Sequence, residues 1–128
     1  MDEKPKTTLT DGSPVTADHK ELKPNGQQKG YVVLSEEERA KGFVRPVRHT
    51  YIHVGKNPVM EGNVLIKPSP EACGQRTTMN DALAKTYARD PHFYSGTFCT
   101  TCRTHRPVGE PEFGGEFVWE GTSERVGT

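Results

Sequence analysis

The chain has 128 residues, of which 31% are hydrophobic, and its 17 Lys and Arg residues are balanced by 17 Asp and Glu residues. This size allows one small domain with appended segments, and its hydrophobic core is thin enough to gain from a bound metal. Zero net charge disfavours phosphate binding, although a local patch of Arg45, Arg48, Arg103 and Arg106 leaves a nucleic-acid interface open. The sequence has no run of about eighteen apolar residues, which excludes a membrane-spanning helix.

Residues 1–30 are predicted to form an extended or disordered N-terminal arm. All ten aromatic residues of the chain come after this segment, whose Pro, Gly, Lys, Thr and Asp content cannot offset the entropy lost on ordering. If the arm is ordered, we expect it to lie along another chain. Residues 31–122 are predicted to form the folded domain, and residues 123–128 a polar tail.

The predicted domain opens with an apolar run at residues 31–34 and a capping box at Ser35, which starts a brief helix. Residues 47–54 then alternate as a strand, with Tyr51 and His53 pointing to one face. A histidine on a strand is more often an ordinary strand residue than a metal ligand. His53 becomes a ligand candidate only because the cysteines downstream need a partner.

Proline and glycine make residues 56–71 a loop, interrupted by a short strand at residues 64–66. The main helix is predicted at about residues 79–89, where five residues form one stripe that is more typical of core packing than of a partner groove. These residues are Met79, Ala82, Leu83, Thr86 and Tyr87. A last strand at residues 116–120 places Phe117 and Trp119 on one face, where we expect them to pack behind a metal site.

The three cysteines carry the strongest chemical signal. Cys99 and Cys102 form a CxxC knuckle, a spacing that lets both sulfurs face one ion, and Cys73 lies upstream. A tetrahedral zinc takes four nitrogen or sulfur ligands. The fourth ligand is His53 or His105, and we favour His53 because a residue three positions after Cys102 must fold back sharply to reach the same ion.

Other roles for the cysteines stay open at this point. A redox CxxC begins a helix that lowers the thiol pKa, whereas Pro107 follows this one too closely to leave room for a helix. A disulfide between Cys99 and Cys102 would leave Cys73 unpaired, and we expect no signal peptide to send the chain to an oxidising compartment. Plain buried thiols are the third alternative.

A series of short motifs runs through residues 40–128: HVG, CG followed by TTM, TYARDPHFYSGTFC, CxxCxxH, PVGE and EFVW. It resembles a group of small uncharacterised proteins encoded in bacteriophage genomes and in related bacterial and metagenomic sequences, most specifically over residues 86–105. Members of that group often carry a longer insert between HVG and CG than residues 56–72 provide here. The resemblance implies a phage-like origin and no known activity. The shared pattern includes His53, Cys73, Cys99, Cys102 and His105.

Together these features predict an α+β fold: a zinc-stapled domain with a ribbon-like knuckle, a short antiparallel sheet and one main helix. We expect a non-enzymatic protein that acts by contact with a protein partner or in a symmetric assembly. It would be either a virion accessory or decoration component, or a binder of a host target in the host cytoplasm. A nucleic-acid-binding zinc ribbon is the alternative.

An enzyme is the less favoured reading. A catalytic zinc keeps one position open for water and needs a nearby base. Glu110 or Asp90 would take that role only if neither histidine bound the metal. An HNH-type nuclease also has a zinc knuckle beside a histidine, but no Asp-His pair follows this knuckle and no Asn-His pair lies on a later helix.

Overall fold

The computed structural model describes residues 6–128, which form two helices and several short antiparallel sheets. This is the α+β class that the sequence predicts. The strands are β1 (Thr7–Leu9), β2 (Val32–Leu34), β3 (Thr50–His53), β4 (Val59–Glu61), β5 (Val64–Lys67), β6 (Arg76–Thr78), β7 (Gly96–Cys99), β8 (Thr104–Pro107) and β9 (Phe117–Trp119). The two helices are α1 (Glu36–Arg39) and α2 (Asp81–Arg89), and a separate 3₁₀ turn spans Pro111–Phe113.

The main sheet has the strand order β6-β3-β9, and both pairings of β3 are antiparallel. Tyr51 pairs with Trp119 and His53 pairs with Phe117. Tyr51 and His53 are both buried, so the predicted face of this strand is confirmed. The remaining strands of the described chain form two-stranded sheets instead of extending this one: β1-β2, β4-β5 and β7-β8.

Helix α2 begins at Asp81, two residues later than predicted. Residues 76–78 belong to strand β6, and the Asn80 side chain caps the helix by accepting a hydrogen bond of 2.9 Å from the Leu83 backbone N–H. Its buried residues are Ala82, Ala84, Thr86, Tyr87 and Ala88. The buried face is wider than the predicted stripe because α2 also contacts α1 and β2.

Aromatic rings fill the centre of the core. Trp119 meets Tyr51 and Tyr87 edge to face, with ring centroids 6.3 and 5.5 Å apart. Phe117 is fully buried and stacks on the His53 ring at 4.8 Å. The prediction that Phe117 packs behind the candidate metal ligands is therefore confirmed, and Trp119 belongs to the same core cluster as Phe117 and Cys99.

The described part of the predicted arm runs along the rest of its own chain, while residues 1–5 lie outside the described residues. Strand β1 pairs antiparallel with β2. Further on, Gly26 has φ +90° and lies so close to the Arg103 carbonyl that a Cβ at this position would overlap it. The Tyr31 hydroxyl lies 2.9 Å from Nε2 of His105. Strand β1 and Gly26 of the predicted arm are thus in contact with the domain of the same chain, whereas we expected an ordered arm to lie along another chain.

The last residues also pack against the domain. Val126, inside the segment predicted as a tail, is fully buried in the core cluster. Its backbone N–H donates to the Phe117 carbonyl at 3.1 Å, and its carbonyl accepts from Gly109 at 2.7 Å. One valine among polar residues gives too weak a sequence pattern to reveal this anchoring.

No helix in residues 6–128 combines the length and the apolar character that crossing a bilayer requires.

Candidate metal centre

Four side chains converge at one end of the main sheet: His53, Cys73, Cys99 and Cys102. Their ligand atoms all lie within 4.8 Å of one another. Nδ1 of His53 is 3.6 Å from the Cys73 sulfur and 3.5 Å from the Cys102 sulfur, and the sulfurs of Cys73 and Cys99 are 3.4 Å apart. His53 and Cys99 are fully buried, and the other two residues are half-buried.

Three of the six distances between ligand atoms are close to those of a tetrahedral metal site, and the others are at most 4.8 Å. With Zn–S near 2.3 Å and Zn–N near 2.0–2.1 Å, a regular tetrahedron puts sulfur and nitrogen about 3.6 Å apart and two sulfurs about 3.8 Å apart. The two sulfur–nitrogen distances of 3.5 and 3.6 Å match the first value, and the sulfur–sulfur distance of 3.4 Å is slightly shorter than the second. The four side chains are therefore close enough to hold one metal ion.

Backbone hydrogen bonds bring His53 and Cys73 together across residues 54–72, where the structure forms the β4-β5 hairpin in place of the predicted loop with one short strand. The His53 N–H donates to the Gln75 carbonyl at 3.1 Å, and the His53 carbonyl accepts from the Gly74 N–H at 2.8 Å. Gly55 follows with φ +83°, and a Cβ there would overlap the Ser69 side chain. Glycine at this position lets the returning loop approach β3 closely, and that approach places Cys73 beside His53.

The CxxC knuckle is the tight turn between β7 and β8. The Arg103 N–H donates to the Cys99 carbonyl at 2.7 Å, and the Cys102 N–H points at the Cys99 sulfur at 3.5 Å. The Gln75 N–H likewise approaches the Cys73 sulfur at 3.4 Å. Backbone donors aimed at sulfur stabilise negative charge there, which suits thiolates that bind a cation.

A buried carboxylate completes the surroundings of His53. Oε1 of Glu116 lies 2.8 Å from His53 Nε2, and the Glu116 residue is only 5% exposed. Because Nδ1 faces the sulfurs, Nε2 is the nitrogen that donates to Glu116, and this fixes the tautomer that leaves Nδ1 free to bind a metal. Sequence reasoning missed Glu116, since only the pairing of β3 with β9 brings the two residues together.

Burial governs the chemistry of the Cys99 thiol and raises its pKa to about 12. A thiol with such a pKa stays protonated at neutral pH unless a cation compensates the thiolate. Reactive and redox cysteines have a lowered pKa instead. This environment argues against the redox alternative that the CxxC left open.

The other residues considered from the sequence lie elsewhere. Nε2 of His105 is 2.9 Å from the Tyr31 hydroxyl, its ring packs against Phe98 at 5.3 Å, and burial lowers the His105 pKa. Asp90 follows the last residue of α2, and Glu110 precedes the 3₁₀ turn. His105, Asp90 and Glu110 do not belong to the one cluster of metal-binding groups within residues 6–128.

Comparison of the chain with models of known protein families, with curated proteins and with solved structures gives no match. The function is therefore argued from the site itself.

Replacing Glu116 with Gln tests its role in orienting His53. We expect about a tenfold or greater loss of zinc affinity, because the amide carries no charge to strengthen the bond from Nε2. Competition with a chromophoric chelator measures the affinity. Glu112→Gln, which removes an exposed carboxylate from the 3₁₀ turn, is the control. Equal affinities of the two variants would show that Glu116 does not act through His53.

Arg103 provides a test of the knuckle backbone. It is the one non-glycine residue with positive φ, 57°, in the described chain, and its side chain donates to the Pro24 carbonyl at 3.2 Å. Arg103→Gly and Arg103→Ala both lose that hydrogen bond, but only glycine relieves the strain of a left-handed backbone. We expect the Gly variant to exceed the Ala variant in unfolding free energy by about 1 kcal/mol. Urea unfolding measures this difference, and equal stabilities would mean that the turn is not strained.

Proposed function

We propose that this chain is a non-enzymatic binding protein whose fold depends on one structural zinc ion, held by Nδ1 of His53 and the sulfurs of Cys73, Cys99 and Cys102. The observation that carries the proposal is the mutual distance of these four ligand atoms, all within 4.8 Å. Three cysteines and one histidine form a common structural zinc set, and thiolates favour zinc over magnesium or calcium.

Several features favour a structural site over a catalytic one. Structural sites fill all four positions with side chains, whereas catalytic sites use three and keep one for water. A fourth side chain, His53, is present and fully buried. Glu116, the carboxylate beside the cluster, is engaged with His53 at 2.8 Å. Its carboxylate is thus committed to the ligand histidine, which argues against a role as the base of a hydrolase.

The hairpin formed by β4 and β5 supports action through protein contact. Val59, Val64 and Ile66 are 54%, 61% and 56% exposed. The two strands pair only with each other in the part of the chain that the structure describes, so each has an unpaired outer edge. Exposed apolar side chains beside unpaired backbone groups are what an added strand from another chain binds.

A second copy of the chain is a suitable binding partner for this hairpin. If two β5 strands pair antiparallel about a two-fold axis centred on Leu65, then Val64 of one copy lies opposite Ile66 of the other. The exposed apolar side chains of both copies then meet on one face, a self-complementary arrangement that a two-fold dimer requires.

The nucleic-acid alternative has weaker support. Arg48 forms an ion pair with Glu124 at 3.1 Å and lies 4.8 Å above the Trp119 ring, while Arg103 is bonded to the Pro24 carbonyl. These contacts hold two of the four candidate arginines against the protein itself. The phage-like origin, and with it a place in the virion or the host cytoplasm, rests on the motif resemblance alone.

X-ray absorption on the purified protein tests the metal site directly. We expect one zinc per chain with three sulfur neighbours near 2.3 Å and one nitrogen near 2.0–2.1 Å. His53→Ala should replace the nitrogen by a water oxygen or lose the metal, whereas His105→Ala should leave the spectrum unchanged. A water oxygen bound to zinc in the wild-type protein would contradict the structural role and would support the hydrolase alternative.

Sedimentation velocity tests the contact surface. We expect the wild-type protein to form a dimer in a concentration-dependent way. Ile66→Glu should remain monomeric, because pairing of the two edges would bury the charge of the new glutamate. Leu22→Glu, which also replaces an exposed apolar residue, is the control and should still dimerise. Unchanged zinc content in all variants would separate this test from the metal proposal. A wild-type protein that stays monomeric at every concentration would refute pairing through the hairpin.

A further inference from the structure

Arg125 lies in the segment that the sequence predicts to be a polar tail, and the structure ties it to the main sheet. Its backbone pairs with Val118 of β9 as an isolated antiparallel bridge. The residue before it is fixed in the same way, since the Glu124 carbonyl accepts from the Trp119 N–H at 3.0 Å. The backbone of Arg125 is therefore held beside β9.

The Arg125 side chain is partly buried and bridges two segments of the chain. Nη1 donates to the Gly55 carbonyl at 2.8 Å and to the Gly115 carbonyl at 3.2 Å, and Nη2 lies 3.5 Å from the Lys56 carbonyl. A guanidinium presents several N–H donors in one rigid plane, which suits simultaneous bonding to carbonyls of different segments. One side chain thus joins the residues after β3 to the residues before β9.

The two bridged segments are the ones that carry the pair of His53 and Glu116. Gly115 directly precedes Glu116, and Gly55 lies two positions after His53. The Glu116 carbonyl accepts from the N–H groups of both Val54 and Gly55 at 2.9 Å. These bonds fix the main chain of Glu116, and its carboxylate reaches Nε2 of His53 at 2.8 Å. The position of that carboxylate therefore depends on how the two segments are held together.

We propose that Arg125 is a positioning residue of the metal centre. By bridging the carbonyls of Gly55 and Gly115, it keeps the Glu116 carboxylate in place to accept from Nε2 of His53, and so keeps Nδ1 directed at the metal. This inference rests on the proposed zinc site. Groups that orient a metal-binding histidine change the metal affinity without touching the ion. A guanidinium has no lone pair to offer a cation, so the effect of Arg125 passes through Glu116.

A double-mutant cycle of Arg125→Met and Glu116→Gln, made in the full chain, tests this route. Zinc affinity is measured by competition with a chromophoric chelator. We expect Arg125→Met alone to weaken zinc binding by about threefold to tenfold, less than the loss of a direct partner of the histidine. In the Glu116→Gln protein the same change should weaken binding by less than about twofold, because the charged group that Arg125 positions is already absent.

Arg89→Met is the matched control. Arg89 is also partly buried, and its side chain donates to a backbone carbonyl, that of Gly42, at 3.3 Å. It lies on α2 and contacts neither bridged segment through that bond, so its loss should leave the zinc affinity at the wild-type value. Arg125→Lys is the milder second variant, because it keeps the charge but lacks the planar fork. It takes the place of Arg125→Met in the cycle if the methionine variant takes up no zinc.

The Nε2–H proton of His53 provides a second measurement on the zinc-loaded protein. Its exchange with solvent, followed by NMR, should be faster when Arg125 is replaced and unchanged in Arg89→Met. Wild-type zinc affinity and wild-type exchange in the Arg125 variants would overturn the proposal. An equal loss of affinity with Glu116 and with Gln at that position would also overturn it, because Arg125 would then stabilise the fold as a whole. A wild-type protein that binds no zinc would instead refute the metal site itself.

Discussion

The structure depends on bringing three thiols and an imidazole into one small buried volume. Without a cation, burial holds the Cys99 proton in place and raises its pKa to about 12. Three thiolates at these distances would repel one another strongly in such a site. In our proposal a divalent ion would remove this conflict, because it would replace the thiol protons and attract all three sulfurs.

The ligand cluster joins parts of the chain that are distant in sequence. His53 ends β3, Cys73 lies in the loop before β6, Cys99 ends β7, and Cys102 lies in the turn that follows β7. Closing these loops costs conformational entropy, and a chain with only 31% hydrophobic residues has little apolar burial to offset it. In our proposal the free energy of metal binding supplies the difference, so that the sheet, the knuckle and the returning loop form together.

Local sequence patterns predicted those structural features that interactions between nearby residues determine. The CxxC spacing, the apolar face of α2 and the alternation around Phe117 depend on nearby residues, and these predictions agree with the structure. Glu116 and Val126 could not be found in the same way. Each contacts a partner that is distant in sequence or that strand pairing brings close. From composition alone, Glu116 looks like a surface carboxylate and Val126 like part of a polar tail. The predicted start of α2 was two residues early, because only the pairing of β6 with β3 shows that residues 76–78 form a strand and that Asn80 caps the helix.

The most direct measurement is a zinc titration of the reduced, chelator-treated protein, followed by near-ultraviolet circular dichroism and by the NMR signal of the Trp119 indole. The account expects an unfolded or loosely packed chain that gains dispersed signals as zinc is added and saturates at one equivalent. Dispersed, cooperatively folded signals before any zinc is added, unchanged by the titration, would contradict the claim that the metal holds this fold together.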